Sequence, residues 1–132
     1  MPQRSSLIYP DHEVGPNTPI LCLDDEVLIA LDTADVLTEE GYRSVFVAHT
    51  ERAAERILDE NAIGLAILDV NLGDGQNSYD VARKVLAQGG YVIFATGYTK
   101  PVLPPELRGR MVISKPVNER TLRSAIAALG AD

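Results

Sequence analysis

The sequence predicts an α/β sandwich built on a five-stranded parallel sheet, and three observations predict it. Short apolar runs alternate with helical patterns from Pro19 onward. Several of those runs are continuous rather than alternating in polarity, as in strands covered on both faces. The runs also end on polar residues, where an open α/β sheet collects its functional groups. The 132 residues suit a single domain with a core of useful size.

The elements follow in order. Residues 1–18, broken by Pro2, Pro10, Gly15 and Pro16, read as an N-terminal tail, and the domain runs from 19 to 132. Ile20-Leu21-Cys22-Leu23 is the first strand and stops at Asp24-Asp25. A helix follows with Val27, Ala30, Leu31, Ala34 and Leu37 expected inward and Gly41 as its stop. Val45–Ala48 is the second strand, and Thr50 can cap a helix that turns Ala53, Ala54, Ile57 and Leu58 to the core. The third strand, Leu65–Leu68, ends at Asp69. A polar loop with Gly73-Asp74-Gly75 then leads to a helix around 79–87, closed by Gly89-Gly90. Tyr91–Ala95 is the fourth strand, ending at Thr96-Gly97, and Met111–Ser114 the fifth, ending at Lys115-Pro116. In the last helix Asn118 is the N-cap, Leu122, Ala125, Ile126 and Leu129 keep helical spacing, and Val117 with Leu122 can form a hydrophobic staple. Right-handed crossovers leave the flavodoxin-like strand order 2-1-3-4-5 as the natural topology.

The interval 99–110 breaks the rhythm. Pro101, Pro104 and Pro105 remove backbone donors and clash with a helix interior, so the fourth helix is expected to be short or disordered, at most a turn near Glu106-Leu107.

Composition narrows the function. A net charge of −7, from 12 basic and 19 acidic residues, disfavours binding to nucleic-acid phosphates. The apolar runs are too short to span a bilayer, and the N-terminus shows no signal-peptide core, which makes the cytoplasm the default compartment. The one cysteine, Cys22, allows no disulfide within the chain and reads as a core residue. His12 falls in the tail and His49 closes a strand; both are expected to be structural or solvent-exposed.

At the strand ends stand Asp24, Asp25, Asp69, Thr96 and Lys115. Two like charges 4 Å apart repel by about 4 kcal/mol at an effective dielectric near 20. Three converging carboxylates therefore call for neutralisation, and a hard divalent cation such as magnesium does this with oxygen ligands. A carboxylate beside such an ion can act as a nucleophile toward phosphorus and become an aspartyl phosphate. Asp69, on the most central of these strands, is the candidate nucleophile; Asp24 and Asp25 serve the metal, and Thr96 and Lys115 can neutralise phosphoryl oxygens.

The runs Ile20–Glu26 and Ile67–Leu72, together with Lys115-Pro116, resemble the receiver domain of bacterial response regulators of the chemotaxis-regulator type, and the resemblance covers about residues 19 to 130. It implies a phospho-acceptor at Asp69, magnesium held by the side chains of Asp25 and Asp69 and the backbone carbonyl of Asn71, and Asp24 acting on the metal mainly through water. It further implies a switch hydroxyl at Thr96, a phosphate-binding lysine at Lys115 and a cis Lys115-Pro116 bond. Phe94-Ala95-Thr96-Gly97-Tyr98 is similar to the "FAT GUY" group of single-domain receivers, linked to general stress signalling in alphaproteobacteria. Ordinary receivers carry a switch aromatic three positions before the lysine. Here that position is Val112, and Tyr98 is the candidate replacement. The group often has a proline shortly before its Phe-Ala-Thr; this chain has Gly90 and Tyr91 near that place.

The implied function is a stand-alone regulator that takes a phosphoryl group from a sensor histidine kinase or a histidine phosphotransfer protein. It would be a monomer that signals through a protein target or serves as a phosphate sink, without turnover of an external substrate. Two alternatives stand beside it. One is a receiver-like binding module that never uses phosphorylation. The other is an Asp-nucleophile phosphatase, which wants an acid two residues after the nucleophile, where this chain has Asn71. A nucleotide-binding enzyme ranks below both, because no glycine-rich phosphate loop follows the first strand.

Overall fold

The computed structural model describes residues 13–97 and 102–129. Five parallel strands form the main sheet: β1 (Ile20–Leu23), β2 (Val45–Ala48), β3 (Leu65–Asp69), β6 (Tyr91–Thr96) and β7 (Met111–Ser114). Their order is β2-β1-β3-β6-β7, the expected 2-1-3-4-5 once a small hairpin, β4 (Asn71–Gly73) with β5 (Gln76–Asn77), is set aside. Register runs Leu23↔Ala48, Leu23↔Leu68, Asp69↔Ala95 and Thr96↔Ser114, so the strands finish along one edge.

Alternating strand positions feed two core layers. Leu21, Leu23, Ala66, Leu68, Val92 and Phe94 face α2 (Glu51–Glu60) and α3 (Tyr79–Ala87). Ile20, Cys22, Leu65, Ile67 and Ile93 face α1 (Val27–Glu39) and α4 (Glu119–Ala128). Two-sided burial explains why the strands read as unbroken apolar runs. It also leaves Cys22 inert, since desolvation pushes its thiol up to about 12.

The helix starts behave as their caps predict. The Thr50 hydroxyl accepts from the Ala53 N–H at 3.0 Å, and Asn118 Oδ1 accepts from the Thr121 N–H at 2.9 Å. Val117 and Leu122 are both buried in the same cluster, as a staple requires.

Helix α1 differs from the expectation. Its buried face is Ala30, Thr33 and Leu37, while Val27 and Leu31 are exposed together with Leu28. The helix is rotated because Thr33 can turn inward at little cost: its hydroxyl donates to the Ile29 carbonyl at 3.1 Å, so no polar group is stranded.

The β3–α3 connection is not a plain loop. Asp74 and Gly75 both have positive φ, 51° and 75°, and join β4 to β5 across the Gly73↔Gln76 pair, as a two-residue primed turn does. The 3₁₀ turn Pro105–Leu107 stands where a fourth crossover helix would lie, with Leu103 and Leu107 reaching into the α2/α3 layer. Residues 13–18 fold back on the sheet's amino end, where the Pro16 carbonyl accepts from the Arg43 N–H at 3.0 Å and Val14 packs on the core. No helix among the described residues is long and apolar enough to cross a membrane.

Candidate functional site

Because β1 and β3 end side by side, Asp24, Asp25 and Asp69 converge at the carboxyl edge of the sheet. Each offers a carboxylate oxygen, and these oxygens lie within 4.8 Å of one another. Asp24 and Asp69 are buried and Asp25 is exposed. Lys115, brought in by the end of β7, places its Nζ 3.0 Å from Asp24 Oδ2 and 3.2 Å from Asp69 Oδ2. Its own N–H donates to the Thr96 carbonyl at 2.8 Å, which fixes the lysine against the end of β6. The Lys115-Pro116 bond is cis.

Among the described residues, three carboxylates face one ammonium. Burial, and next the charge of Asp24, push Asp69 up to about 6, against the pull of Lys115. Burial draws the Lys115 ammonium down, but its bond to Asp24 and the charges of Asp24 and Asp69 outweigh that and hold it above the ordinary lysine value. An all-oxygen donor set this compact and this short of positive charge fits a hard divalent cation.

The cluster opens into a cleft of about 670 Å³ whose lining includes Asp25, Asp69, Asn71, Thr96 and Lys115. The cleft thus gathers five of the seven candidate residues, and Asp24 stands just behind them, bonded to Lys115. Asn71 opens the hairpin, its Oδ1 accepting from the Gly73 N–H at 2.9 Å. The remaining candidate, Tyr98, lies outside the described residues, as does His12. Val112, in register with Phe94, occupies the place expected of a switch aromatic and is 37% exposed.

Three site neighbours escaped the sequence reading. Gly73 has a φ of +83°, and a Cβ there would come within 3.4 Å of Asp25 Oδ2, so the hairpin passes close over the acid cluster. The Asp74-Gly75 dipeptide was the available signal for that hairpin. Tyr79 lines the cleft and stands edge-on to Phe94, with ring centroids 6.3 Å apart. Nothing in its sequence neighbourhood marks it. The third is His49, whose Nδ1 lies 3.1 Å from the Asp24 carbonyl.

Comparison with known proteins agrees with this geometry. The family profile described as the response regulator receiver domain matches residues 20–127. The chain is 31% identical over 113 residues to the phyllosphere-induced regulator PhyR of Methylorubrum extorquens, covering 83% of this chain and 42% of that protein. It therefore spans less than half the length of that relative. The solution structure of SdrG from Sphingomonas melonis Fr1 superposes with a TM-score of 0.75 at 33% identity, covering 87% of this chain and 98% of that one. A BeF3-activated conformation of SdrG, from Pseudomonas melonis Fr1, gives a TM-score of 0.73 at the same 33% identity and coverage of 87% and 98%.

Proposed function

The chain belongs to the response regulator receiver domain family, and on that premise we propose that it accepts a phosphoryl group on Asp69 from a phosphohistidine of a sensor kinase or phosphotransfer protein. The observation that carries the reading is the placement of Asp69. It is buried at the end of β3, with its Oδ2 3.2 Å from the Lys115 ammonium, among the three converging carboxylates.

In the transfer, a carboxylate oxygen of Asp69 attacks phosphorus, the P–N bond to the donor histidine breaks, and that nitrogen keeps the electron pair and regains a proton. With its carboxyl raised only to about 6, Asp69 is mostly ionised at neutral pH and able to attack. Lys115, poised between Asp24 and Asp69, pairs with one phosphoryl oxygen, and the Thr96 hydroxyl, at the end of β6, donates to another. The side chains of Asp25 and Asp69 and the Asn71 carbonyl would hold magnesium, with Asp24 behind them acting through water. When bound, magnesium supplies charge neutralisation for the transferring group.

The exposed apolar side chains Val27, Leu28 and Leu31 flank the acid pair and give the phosphodonor protein a surface to dock on. The likeness to PhyR and SdrG, together with the Phe94-Ala95-Thr96-Gly97-Tyr98 run, supports a place in alphaproteobacterial stress signalling. In this reading the chain is a cytoplasmic monomer. It acts by contact with a protein target or as a phosphate sink. It does not turn over external phosphate esters, because Asn71 cannot supply the proton a phosphatase needs two residues after its nucleophile.

Incubation with acetyl phosphate or phosphoramidate, followed by intact-mass measurement, tests the assignment. One magnesium-dependent phosphoryl adduct is expected in the wild type and none in Asp69→Asn. An adduct retained by the variant, or a wild type that takes no label, sinks the assignment.

A further inference from the structure

Asp24 is held at every polar atom. Its N–H continues the β1–β2 ladder to the Ala48 carbonyl at 3.1 Å. Its Oδ1 accepts from the Glu26 N–H at 2.9 Å, and its Oδ2 accepts from Lys115 Nζ at 3.0 Å. The remaining atom is the carbonyl oxygen, and its partner is a side chain: His49 Nδ1, at 3.1 Å.

A backbone donor would be expected there. In a parallel ladder a residue bonds through its N–H and C=O to positions two apart on its neighbour. With the Asp24 N–H on Ala48, the next donor in line is the N–H of Thr50. Thr50, however, is the N-cap of α2, where the chain leaves the sheet. The ring of His49 donates in its place, and since a carbonyl only accepts, the proton sits on Nδ1.

That carbonyl belongs to the peptide plane joining Asp24 to Asp25. The Asp25 N–H, on the other side of the plane, has no hydrogen-bond partner among the described residues. Asp25 is also exposed; its carboxyl is bonded to that of Asp69, and neither contact of the Lys115 ammonium is with it. The orientation of the plane sets the origin from which the Asp25 carboxylate reaches the cleft. We propose that His49 is a positioning residue, whose Nδ1–H locks the Asp24–Asp25 peptide and so aims the Asp25 carboxylate for a divalent cation.

This inference rests on the reading of the acid cluster as a magnesium-dependent phosphoryl site. It concerns affinity for the ion more than the transfer itself, since His49 is not among the residues lining the cleft. The bond joins a ring to a partly buried carbonyl, so losing it is expected to weaken ion binding by about three- to tenfold.

Calorimetric titration of the intact chain with magnesium chloride tests the idea with four proteins. His49→Ala is expected to bind about three- to tenfold more weakly than the wild type, yet to reach near wild-type phosphoryl uptake from acetyl phosphate at saturating magnesium. His49→Asn carries an amide nitrogen the same number of bonds from Cβ as Nδ1, and is expected to return to within about twofold of wild type. His49→Gln places its nitrogen one bond further out and is expected to resemble the alanine variant. Unchanged affinity in His49→Ala overturns the proposal, and so does an asparagine variant no better than glutamine. The asparagine and glutamine pair decides the matter even if the alanine variant fails to fold. A wild type that gives no magnesium signal fails at an earlier point: it removes the phosphoryl-site reading, and this proposal with it.

Discussion

Strands β3 and β7 lie in the same parallel sheet, and both read in sequence as short apolar runs, but the fold treats them differently. All five residues of β3 are buried, Asp69 included. In β7 only Ile113 is buried, while Val112 and Ser114 are exposed. The difference comes from position and from the connections. β3 is central and flanked by helices on both faces, whereas β7 is an edge strand, and its crossover forms, among the described residues, only a 3₁₀ turn, pinned by Leu103 and Leu107. The rigid half of the sheet carries the acids, and the thinly covered half carries Val112, where most receivers keep an aromatic group.

Mutation can sharpen that contrast. Leu68→Ala empties a site in the middle of β3 and is expected to lower unfolding free energy by about 2–5 kcal/mol in urea titrations. A loss below about 1 kcal/mol would mean that the central strand is not the rigid half.

Asp69→Asn should act in the opposite direction in metal-free protein. The folded-state value of about 6 lies above the ordinary aspartate value of 3.8, so the folded state holds the extra proton between those limits and stability falls as pH rises through them. Removing the charge is expected to stabilise the chain by about 2 kcal/mol at pH 7 in EDTA, with the gain gone by about pH 4. A gain that persists at low pH would point to packing as its cause.

Val112→Ala should shift stability by no more than about 0.5 kcal/mol, as exposed positions do. A core-sized loss there would show that β7 is covered in solution. The smallest effect is expected at the exposed bond from Arg83 Nε to Glu106 Oε1, 2.7 Å long, which ties the 3₁₀ turn to α3. Glu106→Gln should lower the melting temperature slightly at low salt and not measurably at high salt.

Much of this was legible in the sequence. Strand runs and their polar ends fixed the topology and most of the acid cluster, because in a parallel sheet the end of each strand is also an address in space. The proline-broken crossover was legible for the same local reason. The facing of α1 was not. Val27 and Leu31 look like core residues until Thr33 is seen to satisfy its hydroxyl within its own helix. Nor could the bond between His49 and Asp24 be read, since it depends on the register of two strands whose residues stand 25 positions apart.

The thiol of Cys22 offers a different kind of access to the molecule. It sits in β1 between two neighbouring strands, 2% exposed and pushed up to about 12, so alkylating reagents should meet almost no thiolate in the native state. Labelling can proceed only when the layer over that face of the sheet opens, as when α1 or α4 lifts away from β1. The rate of alkylation thus becomes a clock for opening of that layer. Run with and without magnesium or a phosphodonor, it would report how far occupancy of the carboxyl edge slows that opening, without any engineered probe.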